Sequence, residues 1–184
     1  VPPDWLPDEV LRRLLEEVST PYVVTLGDDD LLTPRGLAAC AEFLDRSPDY
    51  EAAHGHAVVF MTDSDGAHGY IVAAHPYHQR AVEAQTGSER LLQYLDNYFM
   101  LLFSVHRTQS FREIFQHVTL LSDAPFAKEF LPSCLSVVRG KVKALNVLSY
   151  LRQRVPRIGT TPDAFHWITA QPTFARSYET FRDV

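Results

Sequence analysis

The sequence predicts an α/β fold, and three patterns carry that expectation. An apolar run, Tyr22-Val-Val-Thr-Leu26, is followed by a helix-start signal at Thr33-Pro34. A second apolar run covers about Ala52 to Phe60, directly after that helix pattern. The second half is rich in helical periodicity and closes on a strand-like stretch from Val142 to Tyr150. Strands alternating with helices define a sheet covered by helices. With 184 residues the chain suits one substantial domain rather than two. A single domain over 1–184 is therefore expected, with an irregular tail at 156–184.

Each element has its own local reason. Asp8 suits the cap of a helix running through Leu11, Leu14, Leu15 and Val18, and Thr20-Pro21 stops it. The continuous apolar character of 22–26 is that of a buried strand. Thr33 as N-cap and Pro34 at the first helical position open a helix whose apolar face is Leu37, Cys40, Ala41 and Leu44. Ser47-Pro48-Asp49 ends it. After the 52–60 strand, Asp63-Ser-Asp-Gly66 reads as a turn, and Tyr70-Ile-Val-Ala73 as its returning partner. Residues 74–87 read as a long loop. Ser88 and Glu89 start a helix through Leu91, Leu92, Leu95, Tyr98 and Phe99, and two further helices are expected at 108–118 and 124–139. Gly140 suits a C-cap before the closing strand.

Composition narrows the function classes. Hydrophobic residues at 46% and charged residues at 22% describe an ordinary cored globular protein. A net charge of −6 gives no electrostatic footprint for duplex nucleic acid. The charge is uneven: residues 1–66 hold 14 acids and 4 bases, while 67–184 hold 9 acids and 13 bases. One half suits a cation and the other an anion. Cys40 and Cys134 lie far apart in helical patterns and read as buried thiols in a reducing compartment. No apolar stretch approaches the roughly 20 residues of a membrane span, and no secretory signal opens the chain. A cytoplasmic location is the expectation.

The sharpest chemical feature is Leu26-Gly-Asp28-Asp29-Asp30-Leu-Leu-Thr-Pro34. Three adjacent carboxylates straight after an apolar strand repel one another unless a cation or water screens them. Ligands bind at the carboxyl ends of strands in open α/β sheets, and hard oxygen donors there suit Mg²⁺ or Mn²⁺. A solvated acidic loop is the plainer alternative. Between Arg139 and Arg157 stand Arg139, Lys141, Lys143, Arg152, Arg154 and Arg157 with no acid among them. Arg139 and Lys141 are candidates to neutralise a diphosphate, and the whole segment to meet an anionic membrane surface; a solvated basic face is the alternative. His54-Gly-His56 places two imidazoles on one strand face but offers no third ligand. His75, His78, His106 and His166 are read as structural or surface groups.

The aspartate step, with its apolar strand before and its proline-started helix after, resembles the aspartate motif of family-two, GT-A-fold glycosyltransferases. The likeness continues through Phe43-Leu44, Pro48-Asp49-Tyr50, Gly55 with Val58-Val-Phe60, Ser88-Glu-Arg90, Ser104-Val-His-Arg107, the helix around Glu129, Gly140-Lys141-Val142-Lys143 and Tyr150-Leu-Arg152. It spans about residues 18–155 and is similar to a bacterial subgroup. The resemblance implies a GT-A-like mixed sheet with flanking helices. It implies metal-dependent, inverting transfer of a sugar from a nucleoside diphosphate donor to an acceptor hydroxyl on a sugar, glycan or lipid-linked molecule. Asp29 and Asp30 would hold Mn²⁺ or Mg²⁺, with Asp28 on the sugar or ribose or also at the metal. Gly27 stands where the family's first Asp falls. The family also places two or three βα units before this step, and only 27 residues precede Asp28, so the chain reads as a fragment lacking them. A general base is implied on a helix beyond the aspartates; Glu129 matches best, and Asp123 is the other candidate.

Two other readings compete. An aspartate-dependent phosphohydrolase uses a similar Asp-x-Asp step but wants Thr or Val where Leu32 stands. A non-catalytic module binding metal and a glycan or protein is the other.

Overall fold

The computed structural model describes residues 7–63, 69–118, 121, 129–154 and 169–184. The architecture is α/β: a six-stranded mixed sheet with helices on both faces. Chain order is α1 (Pro7–Glu17), β1 (Tyr22–Val23), β2 (Leu31–Leu32), α2 (Pro34–Arg46), β3 (Tyr50–Thr62), β4 (Ile71–Tyr77) and α3 (Gly87–Asp96). A 3₁₀ turn (Leu101–Phe103), β5 (Val105–Arg107), α4 (Thr108–Val118), α5 (Leu131–Arg139), β6 (Lys141–Gln153) and α6 (Phe174–Asp183) follow. The strands run β1-β5-β3-β6-β2, and β4 pairs with β3. The β3–β6 pair is parallel and the other pairs are antiparallel.

Consecutive residues of a strand face opposite sides, and here two alanines divide the core. Ala52 packs with Val82, Tyr94, Leu101, Cys134 and Val137 under α3 and α5. Ala53 packs with Cys40, Leu44 and Val105 under α2. A third cluster, built on Leu15, Phe111, Ile114, Phe115 and Leu131, ties α1 to α4 and α5. Gly36 lets α2 lie directly on β6, since a Cβ there would sit 2.5 Å from the Ser149 Cα. Both cysteines are buried and free, and desolvation pushes each thiol up to about 12.

The predicted cap of α2 is present: Gly36 N donates to the Thr33 hydroxyl at 3.1 Å, and that hydroxyl donates to Leu148 O at 2.5 Å. Two arginines from the quoted motifs satisfy carbonyls at helix ends. Arg90 donates to Val137 O and Val138 O at the end of α5, and Arg107 to Leu44 O and Ser47 O at the end of α2.

Several expected boundaries move. The 22–26 strand pairs only over Tyr22–Val23. The loop expected at 74–87 is strand to Tyr77, because β3 continues to Thr62 and offers β4 a ladder. The first helix begins at Pro7, so Asp8 lies inside it. The α3 helix starts at Gly87 with Thr86 as its cap in a full capping box with Glu89, and stops at Asp96, leaving Tyr98 and Phe99 beyond it. The closing strand runs on to Gln153, and the tail includes α6. The 124–139 helix is described only from Leu131, and most of the 63–66 turn lies outside the described residues. No helix among the described residues is long and apolar enough to cross a membrane.

Candidate active site

The aspartate step follows β1 and turns tightly, with Asp30 N donating to Gly27 O at 3.3 Å. Asp28 and Asp29 are exposed, while Asp30 is 8% exposed. Asp30 is anchored on both oxygens: Oδ2 accepts from the Tyr150 hydroxyl at 2.5 Å and Oδ1 from Gln153 N at 3.0 Å. Burial and the Asp30 carboxylate raise the Tyr150 hydroxyl well above its ordinary range, so it stays a donor. A Cβ on Gly27 would meet Asp30 Oδ2 at 2.8 Å and Asp29 Oδ1 at 3.1 Å. Those two oxygens are therefore no further apart than the sum of these distances. Because Tyr150 holds Asp30 in place, the glycine at 27 is a steric requirement.

Asp29 and Asp30 line a cleft of about 770 Å³ with His75, Tyr77, His78, Phe103, Arg152 and Arg154. Strand register builds its floor. Ala57 is paired with Tyr150 on one side and Tyr77 on the other; Val59 is paired with Arg152 and His75. Directly paired residues share a face, so Tyr150–Ala57–Tyr77 and Arg152–Val59–His75 form two rows across β6, β3 and β4. The Arg152 guanidinium lies 5.7 Å from the Tyr77 ring centroid and 5.8 Å from that of Phe103. Phe103 in turn stacks on Tyr150 at 4.8 Å. Rings of this kind hold a guanidinium without neutralising it.

The expected site residues divide. Asp29 and Asp30 reach the cleft together, and Asp28 is exposed on the same turn. Arg139 and Lys141 do not reach it. Lys141 opens β6 and Arg139 ends α5 just before it, ~30 Å from Arg152, because the β3 partners Tyr50 and Val59 are nine residues apart at about 3.3 Å each. There Arg139 pairs with Glu113 at 2.8 Å and Lys141 with Asp49 at 2.9 Å. Lys143 likewise pairs with Glu83 at 2.8 Å. The acid-free basic run thus draws its acids from other elements, and only Arg152 and Arg154 are left at the cleft without a carboxylate among the described residues. Arg157 lies outside the described residues, as does Asp123.

Glu129 accepts a short hydrogen bond from the Tyr98 hydroxyl and is not among the residues lining the cleft. The two imidazoles of His54-Gly-His56 are separated by register shifts in β3. His54 is buried against the Gly55 and Arg80 carbonyls, and exposed His56 meets Asn146. His75 and His78, read from sequence as structural or surface groups, line the cleft. The strand-like start Tyr70-Ile-Val-Ala73 was the available signal, and Pro76 hid its continuation to Tyr77.

The donor set bears on the implied metal. Among the described residues no group of three His, Cys, Asp or Glu side chains is placed to hold an ion alone. Mg²⁺ and Mn²⁺ commonly take one or two carboxylates, waters and phosphate oxygens. Asp29 with Asp30 or Asp28 fits that shared arrangement and not an all-protein cage. No family model matches the chain, and no curated protein matches its sequence.

Proposed function

We propose that the cleft is the donor site of a metal-dependent glycosyltransferase that moves a sugar from a nucleoside diphosphate to an acceptor hydroxyl. The carrying observation is that carboxylates and guanidinium groups without a carboxylate partner among the described residues share one cleft: Asp29 and Asp30, with Arg152 and Arg154 flanking the Gln153 amide that Asp30 accepts from. A divalent ion held by Asp29 with Asp30 or Asp28 would offset charge developing on the leaving diphosphate. Arg152, fixed between Tyr77 and Phe103, offers directed N–H donors to phosphate oxygens. Asp30, tied to Tyr150 and Gln153, fixes the turn against β6. The acceptor class is a sugar, glycan or lipid-linked hydroxyl, the last with peripheral membrane contact, and the compartment the cytoplasm.

Calorimetry with Mn²⁺ and UDP or GDP tests this. Binding that requires both metal and nucleotide, and is lost in Asp29→Ala, is the expected result. Equal binding by wild type and Asp29→Ala, or none by either, overturns the reading.

A further inference from the structure

We infer that His75 is the catalytic base of the transfer, a role that rests on the glycosyltransferase reading. Among the described residues, the side chains lining the cleft that can accept a proton are Asp29, Asp30, His75, Tyr77 and His78. Asp30 already accepts two hydrogen bonds, and the Tyr77 hydroxyl accepts from Met100 N at 3.1 Å. Asp29 is committed to the metal and diphosphate. Two imidazoles remain, and neither has a hydrogen-bond partner among the described residues.

Register separates the two. His75 is paired with Val59, which is paired with Arg152, so imidazole and guanidinium stand on the same sheet face with one strand between them. Two strand spacings put their backbones ~10 Å apart, and the Arg152 guanidinium packs on Tyr77 of the strand that carries His75, so a phosphate held by Arg152 would lie on the same cleft wall as the imidazole. His78 lies past the end of β4 and has no place in that row. Among the described residues, the charged groups facing the cleft around His75 are Arg152 from β6, Arg154 just beyond it, and Asp29 and Asp30 from the turn. A neutral imidazole carries one ring nitrogen with a lone pair that can accept a proton.

The step balances. The imidazole nitrogen takes the acceptor O–H proton as that oxygen bonds to the anomeric carbon. The bond from this carbon to the diphosphate oxygen breaks, and its electron pair leaves with the nucleoside diphosphate. The imidazolium then returns its proton to water. Water itself serves as acceptor in the slow hydrolysis of the donor.

The test is nucleotide release from UDP-glucose, UDP-N-acetylglucosamine, GDP-mannose and dTDP-rhamnose with Mn²⁺, by the full chain and by His75→Gln, His75→Ala and Glu129→Gln. Both His75 variants should lose about 10²–10⁴ in kcat. Mn²⁺–nucleotide affinity, measured in the same samples, should hold, which shows that the site is still folded. Added imidazole should restore rate to His75→Ala and not to Asp29→Ala. Full turnover in the His75 variants, or a loss confined to Glu129→Gln, overturns the role of His75 and leaves the glycosyltransferase reading standing. No release from any donor by wild type overturns that reading, and the base with it.

Discussion

The Tyr150 hydroxyl donates to Asp30 Oδ2 at 2.5 Å, joining residues 120 positions apart. Through this bond the aspartate turn is fastened to the last strand, on which Arg152 also stands. Tyr150→Phe keeps the stack on Phe103 and leaves a buried carboxylate oxygen short of its donor. Unfolding in urea should show a loss of about 1.5–3 kcal/mol, the usual range for a hydrogen bond to a charged group. Mn²⁺–nucleotide affinity should fall as well. Unchanged stability would show that Asp30 finds another donor.

Gly27 gives a second expectation. Gly27→Ala places a Cβ 2.8 Å from an Asp30 oxygen that Tyr150 and Gln153 hold in place. Gly27→Asp adds the family's first aspartate and the same clash. Both variants should bind Mn²⁺–nucleotide more weakly than wild type. Tighter binding by Gly27→Asp would mean that the turn adapts and that sterics do not dictate the glycine.

The two ends of β6 can be compared directly. Arg152→Met removes the guanidinium framed by Tyr77 and Phe103 and should weaken nucleotide diphosphate binding. Lys141→Met breaks only the ion pair with Asp49 and its contact over the Tyr50 ring, worth about 0–1 kcal/mol of stability at a partly exposed site. Calorimetry that finds the larger binding defect in Lys141→Met would place the phosphates at the wrong end of the strand for this cleft.

Acid should destabilise the fold through its histidines before it reaches most carboxylates. His106 is fully buried, and desolvation lowers it to about 4; His54 is lowered for the same reason. Such groups are neutral when folded and take up protons on unfolding. The stability they support is complete above the ordinary imidazole value near 6.5 and is lost as pH falls towards about 4. The unfolding free energy should therefore drop across that window, and the slope should shrink in His106→Gln. A flat profile between these pH values would contradict the burial of both rings.

Much of the local structure was legible in the order of residues. Thr33 and Pro34 specify a helix start by chemistry that acts within one turn, and the structure has that cap. The aspartates are adjacent in sequence, so no folding was needed to bring them together. Helix faces such as Leu37, Cys40 and Leu44 follow from a 3.6-residue period, and Cys40 and Leu44 are buried accordingly.

Long-range pairing decided the rest. Arg139, Lys141, Arg152 and Arg154 look alike as members of one basic run. A strand is rigid and extended, however, so membership of one strand puts its ends far apart rather than together. The acids that neutralise Arg139, Lys141 and Lys143 come from α4, the α2–β3 turn and the segment before α3, contacts that no local pattern encodes. His75 and Arg152 are 77 positions apart, and only the register of β4 and β6 on β3 sets them on one face. Alternation tells which residues of a strand share a side, but the neighbouring strand and its offset are chosen by packing of the whole core. The sequence by itself determined the aspartate cluster and the α2 cap; the tertiary structure decided which cations and imidazoles that turn would face.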